Sequence, residues 1–210
     1  MPKLSGNKGE WSEIYAFFRL LEIKKLYAAD AELNKKDDMF YNIINIIRTE
    51  PIGTLEFRIN KADDTVSVIK TDTEDELLTL TCDEFKTAAD NLYNEIISTN
   101  KSSFESQYTE EFLEQLNIGV LKAKSTDKAD IRIKIHDINT GYETVQGFSI
   151  KSRLGSPSTL VNAGKTTNFV FKVTGNVNDD VMNGFNTCSK KFKDRFEFLA
   201  GCDCDIEYCS

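Results

Sequence analysis

A mixed α+β fold, with a central sheet of mixed strand direction flanked by helices, follows from three features of this 210-residue sequence. An amphipathic segment opens the chain. Two groups of short alternating apolar runs follow, around 40–69 and 131–151, each interrupted by turn-forming residues. A second amphipathic segment separates the groups. Helical period and strand period therefore occur in one chain of a length that suits a single domain, 1–210.

In chain order, Trp11, Ile14, Tyr15 and Phe18 recur at helical spacing, and Phe17 and Leu21 widen the apolar face, so 9–22 is predicted helical. Residues 40–48 (FYNIINIIR) and 54–59 (TLEFRI) read as strands. Val66–Ile69 follows the turn-like Lys61-Ala62-Asp63-Asp64 and predicts a hairpin. Asp83 can cap a helix carrying Phe85, Ala88, Ala89, Leu92 and Ile96 on one face. A shorter helix is predicted from Thr109 to Leu116. Residues 131–137 alternate strictly, and the turn Asn139-Thr140-Gly141 leads into a strand over 144–151. Ser156-Pro157 signals a short helix to about Ala163, and 168–173 (NFVFKV) a further strand.

Composition narrows the class. Charged residues make up 29% and apolar residues 40%, ordinary for a folded chain. No apolar run is long enough to span a membrane, and the N-terminus has no apolar signal core, so a cytoplasmic protein is expected. The five cysteines, four of them in the last 23 residues, form no CxxC pair and read as reduced thiols. Net charge is −8, which argues against a nonspecific nucleic-acid coat. Its distribution is uneven. From Thr144 to Asn178 the chain carries Lys151, Arg153, Lys165 and Lys172 and no carboxylate, a directional sign of an anionic ligand there.

The candidate chemistry lies at the 131–151 hairpin. Asp130, Arg132, Lys134 and His136 share one parity, as do Gly147, Ser149 and Lys151 on the returning strand. A turn centred near residue 140 sets Asp130 across from Ser149–Lys151, with a slip of one or two residues allowed. A carboxylate and an ammonium then meet at one end of a sheet. Such a pair suits metal-assisted phosphodiester hydrolysis: a hard cation takes oxygen ligands, and a lysine offsets charge on the phosphate. It is equally what an ordinary ion pair at a strand end looks like.

Lys128-Ala129-Asp130-Ile131-Arg132-Ile133, followed after the hairpin by Gly147-Phe148-Ser149-Ile150-Lys151-Ser152, resembles the core of PD-(D/E)xK nucleases. Three stretches resemble the HpaII-type restriction endonucleases more closely: Gly6-Asn7-Lys8-Gly9-Glu10-Trp11-Ser12-Glu13, Tyr27-Ala28-Ala29-Asp30, and the long block from Gly147 to Leu160. The resemblance extends from Gly6 to about Val173. It implies a Mg²⁺-dependent type II endonuclease acting on double-stranded DNA at CCGG. It also implies a catalytic core over about 109–175 and a C-terminal portion beyond this chain. A palindromic site further implies a homodimer on DNA. By position, Asp130 would ligate the metal, the Ile150 carbonyl would assist, and Lys151 would be the catalytic lysine. Ser149 stands where the general pattern has Asp or Glu, which makes a silent DNA-binding module of the same fold the alternative.

A second carboxylate must then come from elsewhere. Glu143 lies six residues from Ser149, about 20 Å along an extended strand, and is too far. The resemblance favours a glutamate four residues after a glycine on the first helix, a spacing met by Gly9 and Glu13. Glu13 is thus the first choice and Glu10 the second, although both also suit a helix N-terminus without any further role. Ser152, Arg153, Ser156, Thr159, Asn162, Lys165 and Asn168 would face DNA, mixing cations with neutral hydrogen-bonding groups. Gly164-Lys165-Thr166 lacks the earlier glycine of a phosphate-binding loop, and His136 reads as a strand-surface residue.

Overall fold

The computed structural model describes residues 4–121, 129–154, 170–188 and 192–209. Contacts divide the chain into two compact units, Met1–Ser158 and Thr159–Ser210.

The first unit runs β1 (Gly6–Asn7), α1 (Lys8–Ile23), β2 (Lys25–Ala29), β3 (Lys35–Glu50), β4 (Gly53–Asn60), β5 (Thr65–Lys70), β6 (Asp75–Thr81), α2 (Cys82–Ser98), β7 (Ser103–Phe104), α3 (Gln107–Gln115), β8 (Ile131–His136) and β9 (Glu143–Phe148). Helix α1 starts in a reciprocal capping box, in which Asn7 and Glu10 satisfy each other's backbone N–H groups. It ends at Lys24, which adopts φ 61° and donates its N–H to the Leu20 carbonyl at 2.8 Å. The cap of α2 is Thr81, boxed with Glu84. Asp83, expected as the cap, instead lies in the first turn, because Thr81 still has extended backbone and has its own glutamate partner three residues on.

A seven-stranded sheet follows the order β6-β5-β4-β3-β8-β9, with β2 also paired to β3. Every pairing among the described strands is antiparallel, so the parallel component expected of a mixed sheet is not among them. Short turns join β3 to β4, β4 to β5, β5 to β6 and β8 to β9, and such links connect antiparallel neighbours. The organising element is β3. Asn42 pairs with both Lys25 and His136, so β2 and β8 flank β3 on opposite edges, and β4 takes the β2 edge farther along.

One face of this sheet is covered. Trp11, Ile14, Phe17, Phe18 and Leu21 of α1, Phe85, Leu92 and Ile96 of α2, and Ile43, Ile46, Leu55, Phe57, Ile131, Ile133 and Ile135 of the sheet belong to one buried cluster. Phe17 meets Phe57 edge-on at 4.8 Å, and the Trp11 Nε1–H donates to the Phe104 carbonyl at 3.0 Å. Full burial of each such side chain contributes about 1.5–3 kcal/mol. No described helix is long and apolar enough to cross a membrane.

The second unit pairs β10 (Phe171–Gly175) with β11 (Cys204–Tyr208) in antiparallel fashion, with α4 (Asp179–Thr187) and α5 (Phe192–Gly201) between them in sequence. Gly175 has φ 98°, and a Cβ there would come within 2.5 Å of the Asp203 carbonyl oxygen, so the pairing needs glycine at this point. All five cysteines are free thiols. The strand expected over 168–173 starts at Phe171 among the described residues, and the helix expected over 156–163 lies outside them.

Candidate active site

The hairpin register brings Asp130 to the segment it was expected to meet. Ile131 pairs with Phe148 and His136 with Glu143, within one residue of the register centred on position 140. The ladder then extends one step. The Asp130 N–H donates to the Phe148 carbonyl at 3.0 Å, and the Ile150 N–H donates to Asp130 Oδ2 at 2.7 Å. The strand expected over 144–151 ends at Phe148, and Ser149–Lys151 lies beyond it. The reason is local: the Ile150 N–H goes to a side chain instead of a neighbouring strand.

Alternation nevertheless persists past the strand end. Phe148, Ile150 and Leu154 are half-buried against the core, whereas Ser149, Lys151 and Arg153 are exposed. On β8, Ile131, Ile133 and Ile135 are buried on the same inner face. Asp130, Ser149 and Lys151 therefore share the outer side of the sheet by parity. Asp130 also borders a recess lined by Ile47, Arg48, Thr49, Ala129, Ile131 and Arg132.

Helix α1 meets this segment from the inner side. Ser12, itself buried, approaches Ser152 with an Oγ–Oγ distance of 2.9 Å. The Ser152 hydroxyl also accepts the Leu154 N–H at 3.1 Å. Ser152 was expected among the DNA-facing groups, but its alternation places it inward, where it joins the helix to the loop. Arg153 is exposed. Ser156, Thr159, Asn162, Lys165 and Asn168 lie outside the described residues.

The two glutamates of α1 differ in role. The Glu10 carboxylate accepts the Asn7 N–H at 2.9 Å and so serves the helix start. Glu13 is half-buried next to Ser12. Among the described residues no group of three or more His, Cys, Asp or Glu side chains is placed to hold a metal ion, so Glu10, Glu13 and Asp130 do not form one. What is present suits a different kind of binding. Asp130 offers one carboxylate fixed through Oδ2, beside the backbone of Ser149 and Ile150. Mg²⁺ is commonly held in this way, by one or two carboxylates, several waters and the phosphate of the substrate.

Two features of the site carry no signal in sequence pattern. Arg48 and Glu50 form a buried ion pair at 2.9 Å, with the Glu50 side chain fully enclosed. Glu50 also accepts the Gly119 N–H at 3.0 Å, and Arg48 donates to the Val120 carbonyl at 2.9 Å. The Arg48 guanidinium lies 5.3 Å from the Phe17 ring centroid. This pair fastens the chain that precedes Asp130 to the end of β3. At the far end of β8, Lys134 holds Glu143 at 2.9 Å and depresses its pKa below the ordinary carboxylate range.

The chain is 37% identical to the type II restriction enzyme HpaII of Haemophilus parainfluenzae; the match covers 91% of this chain and 53% of that enzyme. The chain thus spans about half the length of the curated relative it matches. No solved structure matches it. The family model for the HpaII restriction endonuclease matches residues 7–210, nearly the whole sequence. With the same chain joining Asp130 to the Ser149–Lys151 segment, this protein belongs to the HpaII restriction endonuclease family.

Proposed function

We propose that the chain is the nuclease module of a type II restriction endonuclease, hydrolysing phosphodiester bonds of double-stranded DNA at CCGG. The observation that carries the reading is the bond between Asp130 Oδ2 and the Ile150 N–H, which joins the carboxylate to the segment bearing Lys151. Asp130 and the Ile150 carbonyl are the groups that would hold Mg²⁺, and Glu13 would have to reach the ion around the strand end, where α1 meets the segment through Ser12 and Ser152. When bound, the ion supplies charge stabilisation at the phosphate and lowers the pKa of a water. Lys151 contributes an exposed ammonium to the same outer side, where it orients the attacking water or offsets charge on the phosphate in the transition state. The Ser149 hydroxyl adds a neutral oxygen. Arg153 contacts the phosphate backbone or a guanine edge. Reading a palindrome calls for two copies related by a two-fold axis, so the active form is a homodimer on DNA.

The second reading is a DNA-binding module of the same family without catalysis. It is favoured by Ser149 in place of a carboxylate and by the lack of a three-acid group among the described residues.

The test is plasmid digestion by the purified chain with Mg²⁺, followed by mapping of fragment ends. Discrete ends within CCGG, lost in Asp130→Ala and Lys151→Ala, support the nuclease. DNA binding without cutting supports the second reading. Undiminished cutting by both variants overturns the assigned site.

A further inference from the structure

The outer face of the sheet carries cations beyond the active-site end. On β8, Arg132, Lys134 and His136 follow Asp130 at every second position, all on the outer side. His136 pairs with Asn42, and Asn42 pairs in turn with Lys25. Beyond Asn42, β3 continues with β2 as a two-stranded arm running in the direction set by β8. The arm places Tyr27 opposite Phe40. Lys25 Nζ lies 4.0 Å from the Phe40 ring centroid, and Lys35 Nζ lies 4.5 Å from that of Tyr27. An aromatic ring orients an ammonium without neutralising it, so the charge stays available to an anion.

The pairing of these cations is uneven across the sheet. Toward β4, the outer cation Arg58 is held by both Glu56 and Glu74. On the arm, Lys35 pairs with Asp37, and Lys134 of β8 with Glu143. Lys25, Arg132 and Lys151 have no carboxylate ion-pair partner among the described residues. On a chain of net charge −8, unneutralised cations gathered along one line of one face fit an extended anion.

We infer that this line, from Lys151 and Arg132 along β8 to Lys25 on the β2–β3 arm, is the track of the duplex DNA backbone, and that the arm contacts DNA outside the cleaved tetranucleotide. This rests on the nuclease reading above and extends it. Asp130 lies six residues before His136 on the line of β8, and His136 is level with Asn42 and hence with Lys25, a separation of about 20 Å at roughly 3.4 Å per residue. Four base pairs span only about 14 Å at roughly 3.4 Å per pair, so Lys25 reaches flanking DNA. Contacts of this kind set affinity and register without reading sequence.

The experiment is DNA binding by the full chain in the absence of divalent cations, measured against salt concentration on a synthetic duplex with a central CCGG and long flanks. Lys25→Gln and Arg132→Gln are each expected to reduce the slope of log affinity against log salt by about 0.9, the value for one phosphate contact. Lys25→Arg restores the slope, and Lys61→Gln at the β4–β5 turn leaves it unchanged. On a duplex trimmed close to the tetranucleotide, Lys25→Gln has no effect while Arg132→Gln keeps its effect. Wild-type binding with an unaltered slope in Lys25→Gln overturns the arm contact and leaves the nuclease reading standing. Failure of the unsubstituted chain to bind any DNA overturns both.

Discussion

The carboxylate of Asp130 accepts the backbone N–H of Ile150 at 2.7 Å, and this bond fixes the start of β8 to the segment that follows β9. One oxygen is used for position, and the second remains for chemistry. Asp130 thus has a structural role beside the catalytic one proposed for it, and the two roles separate by substitution.

Asp130→Asn keeps an oxygen that can accept from Ile150 but removes the charge. It is expected to retain wild-type thermal stability and to lose cleavage. Asp130→Ala loses both and is expected to be destabilised by about 1.5–3 kcal/mol, the usual worth of a hydrogen bond to a charged group. Urea denaturation beside plasmid digestion checks both outcomes.

The glutamates of α1 should part in the same assays. Glu10→Ala breaks the capping box and is expected to cost about 0.5–2 kcal/mol of stability, with cleavage by the folded fraction preserved. Glu13→Gln is expected to leave stability almost unchanged. It should raise the Mg²⁺ concentration for half-maximal cleavage by about 10- to 100-fold, as loss of a supporting carboxylate does. A magnesium titration unchanged in Glu13→Gln removes that residue from the site.

Breaking the buried Arg48–Glu50 pair leaves a charge in the core. Arg48→Ala or Glu50→Ala is expected to destabilise the protein by about 3–5 kcal/mol. The double variant Arg48→Met with Glu50→Leu should cost less than either single change, because no unpaired charge remains. Chemical denaturation of the three variants measures this directly.

Acid should loosen the β8–β9 hairpin. The Asn139 N–H, with help from the Thr140 hydroxyl, lowers the pKa of Asp137, and Lys134 lowers that of Glu143. A depressed folded-state pKa contributes stability above the ordinary carboxylate range. That contribution is lost as pH falls through this range to the lowered values. The thermal midpoint should therefore drop on acidification, and the drop should be shallower in an Asp137→Asn, Glu143→Gln double variant. Equal slopes for variant and wild type would refute the assignment.

The periodic elements could be read from residue spacing alone. The apolar face of α1, the strict alternation of Ile131, Ile133 and Ile135, and the register of the β8–β9 hairpin were all legible, because local spacing decides which side of an element is apolar. The meeting of Asp130 with 149–151 followed from that register. The family was legible as well, in the motifs around Glu10, Asp130 and Lys151. Elements with weaker periodicity were not: β2 is half-buried along most of its length and β6 largely exposed, and they are held as strands by pairing to β3 and β5.

Tertiary structure decided what depends on partners distant in sequence. Glu50 looks like an ordinary carboxylate at a strand end, yet it is enclosed because Arg48 and the Gly119 N–H both converge on it. Ser152 reads as a polar loop residue, but Ser12 meets it across 140 positions of chain. Lys25 and Arg132 stand far apart in sequence, and β3 brings them onto one face by pairing with both their strands. Periodicity reports the direction of a side chain relative to its own element. It does not report which element packs against that side chain, since that is set by burial of the shared core.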